Sequence, residues 1–435
     1  MCCDESSRAV SRRQGLLALS PMAVFLLSYV AVSVYIGDFY KMPVSVALAA
    51  ASVWAVGICR GKPLRERIEL FSRSAGHSNI LYMIWVFVMA GAFAGVAKEI
   101  GAVDATVDLT LKIFPARFVV PTLFFASCFI SLAIGTSVGT VVALTPLAAE
   151  IAVASGGEPG FFVAGVLGGA FFGDNLSFIS DTTIASTRSQ GCAMSDKFKA
   201  NLWIALPAAL VTLGVYIALG SDAGQIPPRD ASGPAWLMLP YVIVIIAAAF
   251  GVNVLVTLVI GLASAITAGL CDGYALIDMA GSMGSGIDSI GALIVVTLLA
   301  AGMLGIIRDR GGIDFILNHL TRFVHGPRGA QAAISALVGI VNLCTANNTV
   351  AIITVGPIAR KISDRYGVMA QKAASLLDSA SCVVQCLIPY GAQALLAASL
   401  AGISPVAAIP YLYYPLALAV MLALSVIFRF PRPAK

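Results

Sequence analysis

The sequence predicts an all-α polytopic membrane protein of about 10–12 transmembrane helices. It would be built as two inverted-topology repeats, each with a re-entrant hairpin and an interrupted helix. Three observations carry this. Of 435 residues, 59% are hydrophobic and 11% charged, with a mean hydropathy of +0.92, whereas soluble domains carry about 25% charged residues. Apolar runs of about 20 residues, long enough for a ~30 Å hydrocarbon core, recur from end to end. A segment near residue 90 also returns near residue 300.

The elements follow in order. A basic tail, 1–15, leads into a first crossing at 16–36, too long for a cleaved signal. Further crossings are expected at 42–59, 78–97, 160–187, 199–219, 235–251, 253–271, 289–307, 373–400 and 408–428. The stretches 118–155 and 329–359 are each long enough for two passes and are interrupted by small and polar residues, so each reads as a hairpin. Starting the chain inside puts 22 of the 27 Lys and Arg on the cytoplasmic face, as basic-loop bias requires. Lys197 and Lys372 are counted there, and Lys41, Lys98, Lys112, Arg117 and Arg229 fall outside. Both termini are then cytoplasmic.

The repeat sets Ala90–Asp104 against Ala300–Asp314. Gly95, Gly101 and Asp104 match Gly305, Gly311 and Asp314, and Lys112 meets Arg322 further along. Past these, a Thr-x-x-x-x-Thr closely followed by Pro occurs twice: Thr140, Thr145, Pro146 and Thr349, Thr354, Pro357. Because Lys98 falls outside and Arg308 inside, the copies are inverted. The organisation expected is a helix pair and connector at 16–77, a first repeat at 78–220, linking helices at 221–288 and a second repeat at 289–430. Inverted repeats with discontinuous helices meeting at the midplane are a build of secondary transporters.

Each repeat carries two polar breaks. In the first, the hairpin tip holds Thr136, Ser137 and Thr140, and the interrupted span holds Asp174, Asn175, Ser177, Ser180, Asp181 and Thr182. In the second, the tip holds Asn347, Asn348 and Thr349, and the span holds Asp378, Gln385, Tyr390 and Gln393. Freed carbonyls, hydroxyls and amide oxygens are the ligands a hard cation takes. Of 22 Asp and Glu, only Glu150, Asp174, Asp181 and Asp378 fall well within predicted spans. An intramembrane carboxylate marks an ion or proton pathway by default. Asp174 and Asp181, seven apart, would share one face of an unbroken helix about 10 Å apart. Structural roles stay open beside this: Asp174 capping a break, Asp181 paired with Arg188 at the interface, Asn347 and Asn348 bonding neighbouring helices.

Catalysis finds little support. His77, His319 and His325 all fall in cytoplasmic segments, and the nine cysteines show no metal-ligand spacing. No Gly-Lys-Ser/Thr phosphate loop occurs. The glycines of GGAFFG read as helix-packing residues. No cofactor, resident metal or nucleic-acid partner is expected.

With GTSVGT at 135–140, GGAFFGDNLSFISDTT at 168–183, CTANNT at 344–349 and IPYGAQ at 388–393, the chain resembles the NhaC family of Na⁺/H⁺ antiporters over about residues 16–430. The resemblance implies exchange of Na⁺ for H⁺ across the cytoplasmic membrane of a bacterium, with Asp174 and Asp181 as the cation and proton carriers. Asn175, Ser177, Ser180, Thr182 and the Asn347–Asn348 tip would add neutral ligands. Many relatives have Lys where this chain has Asn175, so a fixed positive charge is expected to be missing there. The family also contains organic-acid exchangers. The alternative is therefore a Na⁺-coupled organic-acid or amino-acid exchanger, with Gln385, Tyr390 and Gln393 on the solute. The bilayer is the expected surrounding, and a homodimer is compatible with this reading.

Overall fold

The computed structural model describes residues 11–36, 43–59, 61–106, 116–177, 180–220, 234–250, 252–320 and 326–430. The tail before residue 11, and Lys41, Lys112, Arg229, Arg322 and His325, lie outside the described residues. All the described regular structure is helical. Among the described residues, seven helical stretches are long and apolar enough to cross a membrane, and four shorter apolar helices accompany them. Large apolar side chains such as Trp85, Trp203, Phe125 and Phe129 point outward, each more than 60% exposed. That is the surface a helix bundle presents to lipid. The chain is an all-α, multi-pass membrane protein.

The described elements run through the same order twice. In the first half, Arg12–Ile36, Val44–Ile58, Leu64–Ala75 and Ser78–Glu99 precede the hairpin arms Ala116–Ile134 and Ser137–Ala154. The broken span Pro159–Leu176 and Asp181–Gln190 follows, then Met194–Leu219. In the second half, Leu239–Ala249, Val254–Cys271, Leu276–Ser289 and Gly291–Asp309 precede Gly312–Leu320 and the arms Gly326–Thr345 and Asn348–Tyr366. The broken span Ala370–Leu387 and Ala392–Ala401 follows, then Tyr413–Ile427. The helix pairs flanking the expected repeats thus have counterparts of their own.

The halves exchange their peripheral helices. Leu64–Ala75 packs on Gly291–Asp309, and Leu276–Ser289 packs on Ser78–Glu99. Glycine makes both contacts close: a Cβ on Gly91 or Gly95 would meet the backbone of Gly286 or Ser282, and one on Gly302 or Gly305 would meet Phe71 or Ser74. The central contact is built the same way. A Cβ on Gly169 or Gly173 would run into the backbone of Ala116–Ile134 at Phe124 and Leu132, while Gly165 faces Val120. Without a side chain every fourth residue, two backbones approach closely enough for the Ser131 hydroxyl to donate to the Ala170 carbonyl at 2.5 Å. This sets the height of Asp174, the residue after Gly173.

Both hairpin tips use one backbone shape. Gly135 is left-handed (φ 74°) and Thr136 extended; Ala346 is left-handed (φ 47°) and Asn347 extended (φ −149°). Pro146 and Pro357 therefore correspond without a gap, and the threonine pairs matched in the sequence do not coincide. The second arm of each hairpin packs on the short half of the other repeat's broken span, which brings tips and breaks together inside the bundle.

Candidate functional site

The first broken span ends at Leu176 and resumes at Asp181 after the Ser180 N-cap, whose hydroxyl accepts from Thr182 N at 3.3 Å. Asp174, 5% exposed, stands just before the break. Its carboxylate accepts from Ser180 Oγ at 2.5 Å, Ser137 Oγ at 3.0 Å and Asn348 Nδ2 at 3.3 Å. Ser180 caps one helix, and Ser137 and Asn348 are the first residues of two others. Three helix N-termini, each partly positive, thus converge on one carboxylate. They and the three donors favour its charged form, while removal from water opposes it. None of these three donors is a cation.

A network extends from this ring. Thr182 Oγ1 lies 2.8 Å from Ser180 Oγ, Gln393 Nε2 donates to Ser137 Oγ at 3.0 Å, and Gln385 Nε2 donates to Gln393 Oε1 at 3.0 Å and to the Ala346 carbonyl at 2.9 Å. Gln385 stands two residues before the end of Ala370–Leu387, as Asp174 does before the end of Pro159–Leu176. The second half therefore has a neutral amide where the first has a carboxylate.

A cavity of about 750 Å³ is lined by Thr136, Ser137, Asp174, Asp181, Thr182, Asn347, Asn348, Thr349, Gln385 and Gln393, together with Arg188. Asp181 and Arg188 are exposed on the same short helix. The break ends the helix between Asp174 and Asp181, so the shared-face argument for that pair does not apply. Asp181 instead sits in the first turn of a new helix, where its charge suits the positive end.

Six residues proposed from the sequence are not on the cavity lining. Ser180 touches Asp174 directly. The Ser177 carbonyl accepts from Thr183 Oγ1 at 2.7 Å, and Thr140 Oγ1 donates to the Thr136 carbonyl at 3.3 Å. Tyr390 donates to the Leu343 carbonyl at 2.8 Å and packs edge-on against Phe25. The Asn175 side chain turns away from Asp174, donating to Ser379 Oγ at 3.2 Å and accepting from Asn201 Nδ2 at 2.7 Å. Asp378 is fully buried and ion-paired with Lys197. Asn347 and Asn348 divide their work: Asn347 caps its helix through Val350 N at 3.0 Å, and Asn348 reaches Asp174.

Lys197 is the residue sequence reasoning missed, and it corrects the expected absence of a fixed charge near Asn175. It is 1% exposed, and its ammonium donates to the Asn175 carbonyl at 2.6 Å. It and Lys372, which donates to Ser425 Oγ and the Phe430 carbonyl at 2.8 Å each, are buried side chains rather than loop cations. The available signal was helical spacing: Lys197, Asn201, Ile204, Ala205 and Ala208 all lie on the buried face of Met194–Leu219.

Helices broken at mid-bundle, hairpin tips meeting the breaks and a buried carboxylate on the wall of a polar cavity make up the build of a secondary membrane transporter. The chain belongs to the Na⁺/H⁺ antiporter family, whose profile matches residues 16–221 and 232–431. It is 26% identical over 364 residues to the Na⁺/H⁺ antiporter NhaC of Alkalihalophilus pseudofirmus, covering 76% of this chain and 78% of that one. It is 29% identical over 307 residues to the malate-2H⁺/Na⁺-lactate antiporter of Bacillus subtilis, covering 66% of this chain and 63% of that one. Among solved structures it is similar to the YdaH transporter of Alcanivorax borkumensis, with a TM-score of 0.42 and 14% identity over 94% of this chain and 99% of that one.

Proposed function

We propose that this protein exchanges Na⁺ for H⁺ across the cytoplasmic membrane by alternating access, with Asp174 as the group both ions use in turn. The observation that carries the reading is a missing partner. Among the described residues, the buried charged side chains are Asp174, Asp378, Lys197 and Lys372. Asp378 has Lys197, whereas Asp174 has neutral donors only. An uncompensated buried carboxylate is costly and calls for a proton or a cation. A site that takes either, but not both, exchanges one for the other.

The hydroxyls of Ser137, Ser180 and Thr182 stand around the carboxylate as neutral oxygens for a hard cation, and Asp181 offers a second anionic group on the cavity wall. In this reading the two halves are inverted copies whose hairpins re-enter from opposite faces, both termini are cytoplasmic, and Arg188 marks the cytoplasmic side of the cavity. Support for the cation reading comes from the family, and from Gln385 in the second half, which leaves Asp174 as the one buried carboxylate on the cavity lining among the described residues.

The test uses purified protein in liposomes holding a pH-sensitive dye. A pH gradient is imposed and Na⁺, Li⁺ or K⁺ is added with no organic solute. Dissipation by Na⁺, lost in Asp174→Asn while the protein remains folded, is the expected result. Dissipation only after an organic acid or amino acid is supplied would overturn it and make the cavity a solute site.

A further inference from the structure

We infer that Lys197 is a positioning residue for the exchange site: its ammonium is a strut across the break in the first broken span, and it holds Asp174 in register with the two hairpin tips. The inference rests on Asp174 being the exchange site.

An ammonium has three N–H donors. Here they reach three acceptors on three segments of chain. One is the Asn175 carbonyl at 2.6 Å, before the break; one is Thr183 Oγ1 at 2.6 Å, after it; the third is the Asp378 carboxylate on the second broken span. A helix interrupted between Leu176 and Asp181 loses the backbone bonds that would fix its halves to one another. Lys197 replaces them with one charged group bound to both sides. Thr183 Oγ1 extends the link by donating to the Ser177 carbonyl at 2.7 Å.

Asn201, one turn on from Lys197, repeats the pattern with an amide. Its Nδ2 donates to the Asn175 carbonyl at 3.0 Å and to Asp378 Oδ2 at 3.1 Å. The strut lies beside the ring around Asp174 and does not enter it: Asn175 is the next residue, and Thr182, next to Thr183, contacts Ser180 in the ring. A shift of Asn175 relative to Thr183 would therefore separate the Asp174 carboxylate from Ser180. Because Asp378 belongs to the other repeat, the same ammonium also ties the two broken spans into one body. Arginine cannot take this place, since a planar guanidinium does not direct three donors as a tripod into a pocket shaped for an ammonium.

The experiment measures the Na⁺ dependence of gradient dissipation in liposomes for wild type, Thr183→Val and the double variant Lys197→Met/Asp378→Asn, at matched amounts of monodisperse protein. Thr183→Val removes one acceptor and leaves the ion pair intact. It is expected to raise the KM for Na⁺ about 3- to 10-fold at near wild-type maximal rate, the size of one or two lost hydrogen bonds. The double variant removes both charges together and is expected to raise it about tenfold or more. A folded double variant with wild-type KM overturns the inference, because the pair would then only balance charge. If the double variant does not fold, Thr183→Val decides, and a wild-type KM or a loss confined to maximal rate overturns it. Wild-type protein that no cation drives defeats the exchange reading instead, so the two failures are distinct.

Discussion

Lys197 and Asp174 flank the same helix break without pairing. The ammonium is bound to Asp378, and the Asp174 carboxylate is left to the neutral donors Ser137, Ser180 and Asn348. One buried pair is compensated, and one acid a residue away from that strut is not. Among the described residues, Asp174 is thereby the one buried carboxylate on the cavity lining, and it is held by neutral donors.

Removing one member of a buried pair strands the other. Asp378→Asn is expected to destabilise the protein by about 3–5 kcal/mol, and the double variant with Lys197→Met should recover most of that loss. Thermal unfolding in detergent reads both. A double variant as unstable as the single one would mean that the network around Asn201 and Ser379, rather than the charge, needs Asp378.

The neighbouring tip asparagines should separate in their effects. Asn347 caps Asn348–Tyr366 through Val350 N, so Asn347→Ala should cost about 1 kcal/mol of stability, and Asn347→Ser should restore it. Asn348→Ala removes a donor from Asp174 and is expected to cut exchange about tenfold with little change in melting temperature. Equal losses of exchange at both positions would refute the division.

Substitutions along the glycine stripe should be graded by what they meet. At Gly173 a Cβ falls within 2.5 Å of Ser131 and Leu132 backbone, while at Gly165 it falls 3.1 Å from a methyl of Val120. Gly165→Ala should yield monodisperse protein, and Gly173→Val should not. Size-exclusion profiles of the two variants decide this; well-folded Gly173→Val protein would contradict the close approach.

Orientation has its own test. In a cysteine-free background, Arg188→Cys should react with a membrane-impermeant thiol reagent supplied from the cytoplasmic side, since the side chain is exposed on the cavity wall. Ser379→Cys, fully buried, should stay unreactive from either side. Labelling of Arg188→Cys from the outside alone would reverse the proposed topology.

Asp174 was legible because a carboxylate inside an uncharged run stands out in any membrane sequence. The hairpin tips were legible as polar interruptions at the middle of overlong apolar stretches. Lys197 was not, because Ser-Asp-Lys-Phe-Lys has the composition of a basic loop, and loop and helix start differ only in what packs around them. The threonine alignment failed for a related reason. Side-chain likeness matched Thr140 and Thr145 to Thr349 and Thr354, whereas the left-handed residues at Gly135 and Ala346 set the register.

By itself the sequence determined the membrane class, the helical fold, the family and the carboxylate most exposed to functional suspicion. These follow from composition and local pattern, because transfer of apolar residues into a bilayer is decided segment by segment. Only the tertiary structure decided which charge meets which: that Asp378 is bound by Lys197, that Asn348 and not Asn347 turns to Asp174, and that Asp181 opens onto the cavity. Each of these depends on how helices distant in sequence are seated against one another to within an ångström. A buried ion pair or hydrogen bond exists only at that precision.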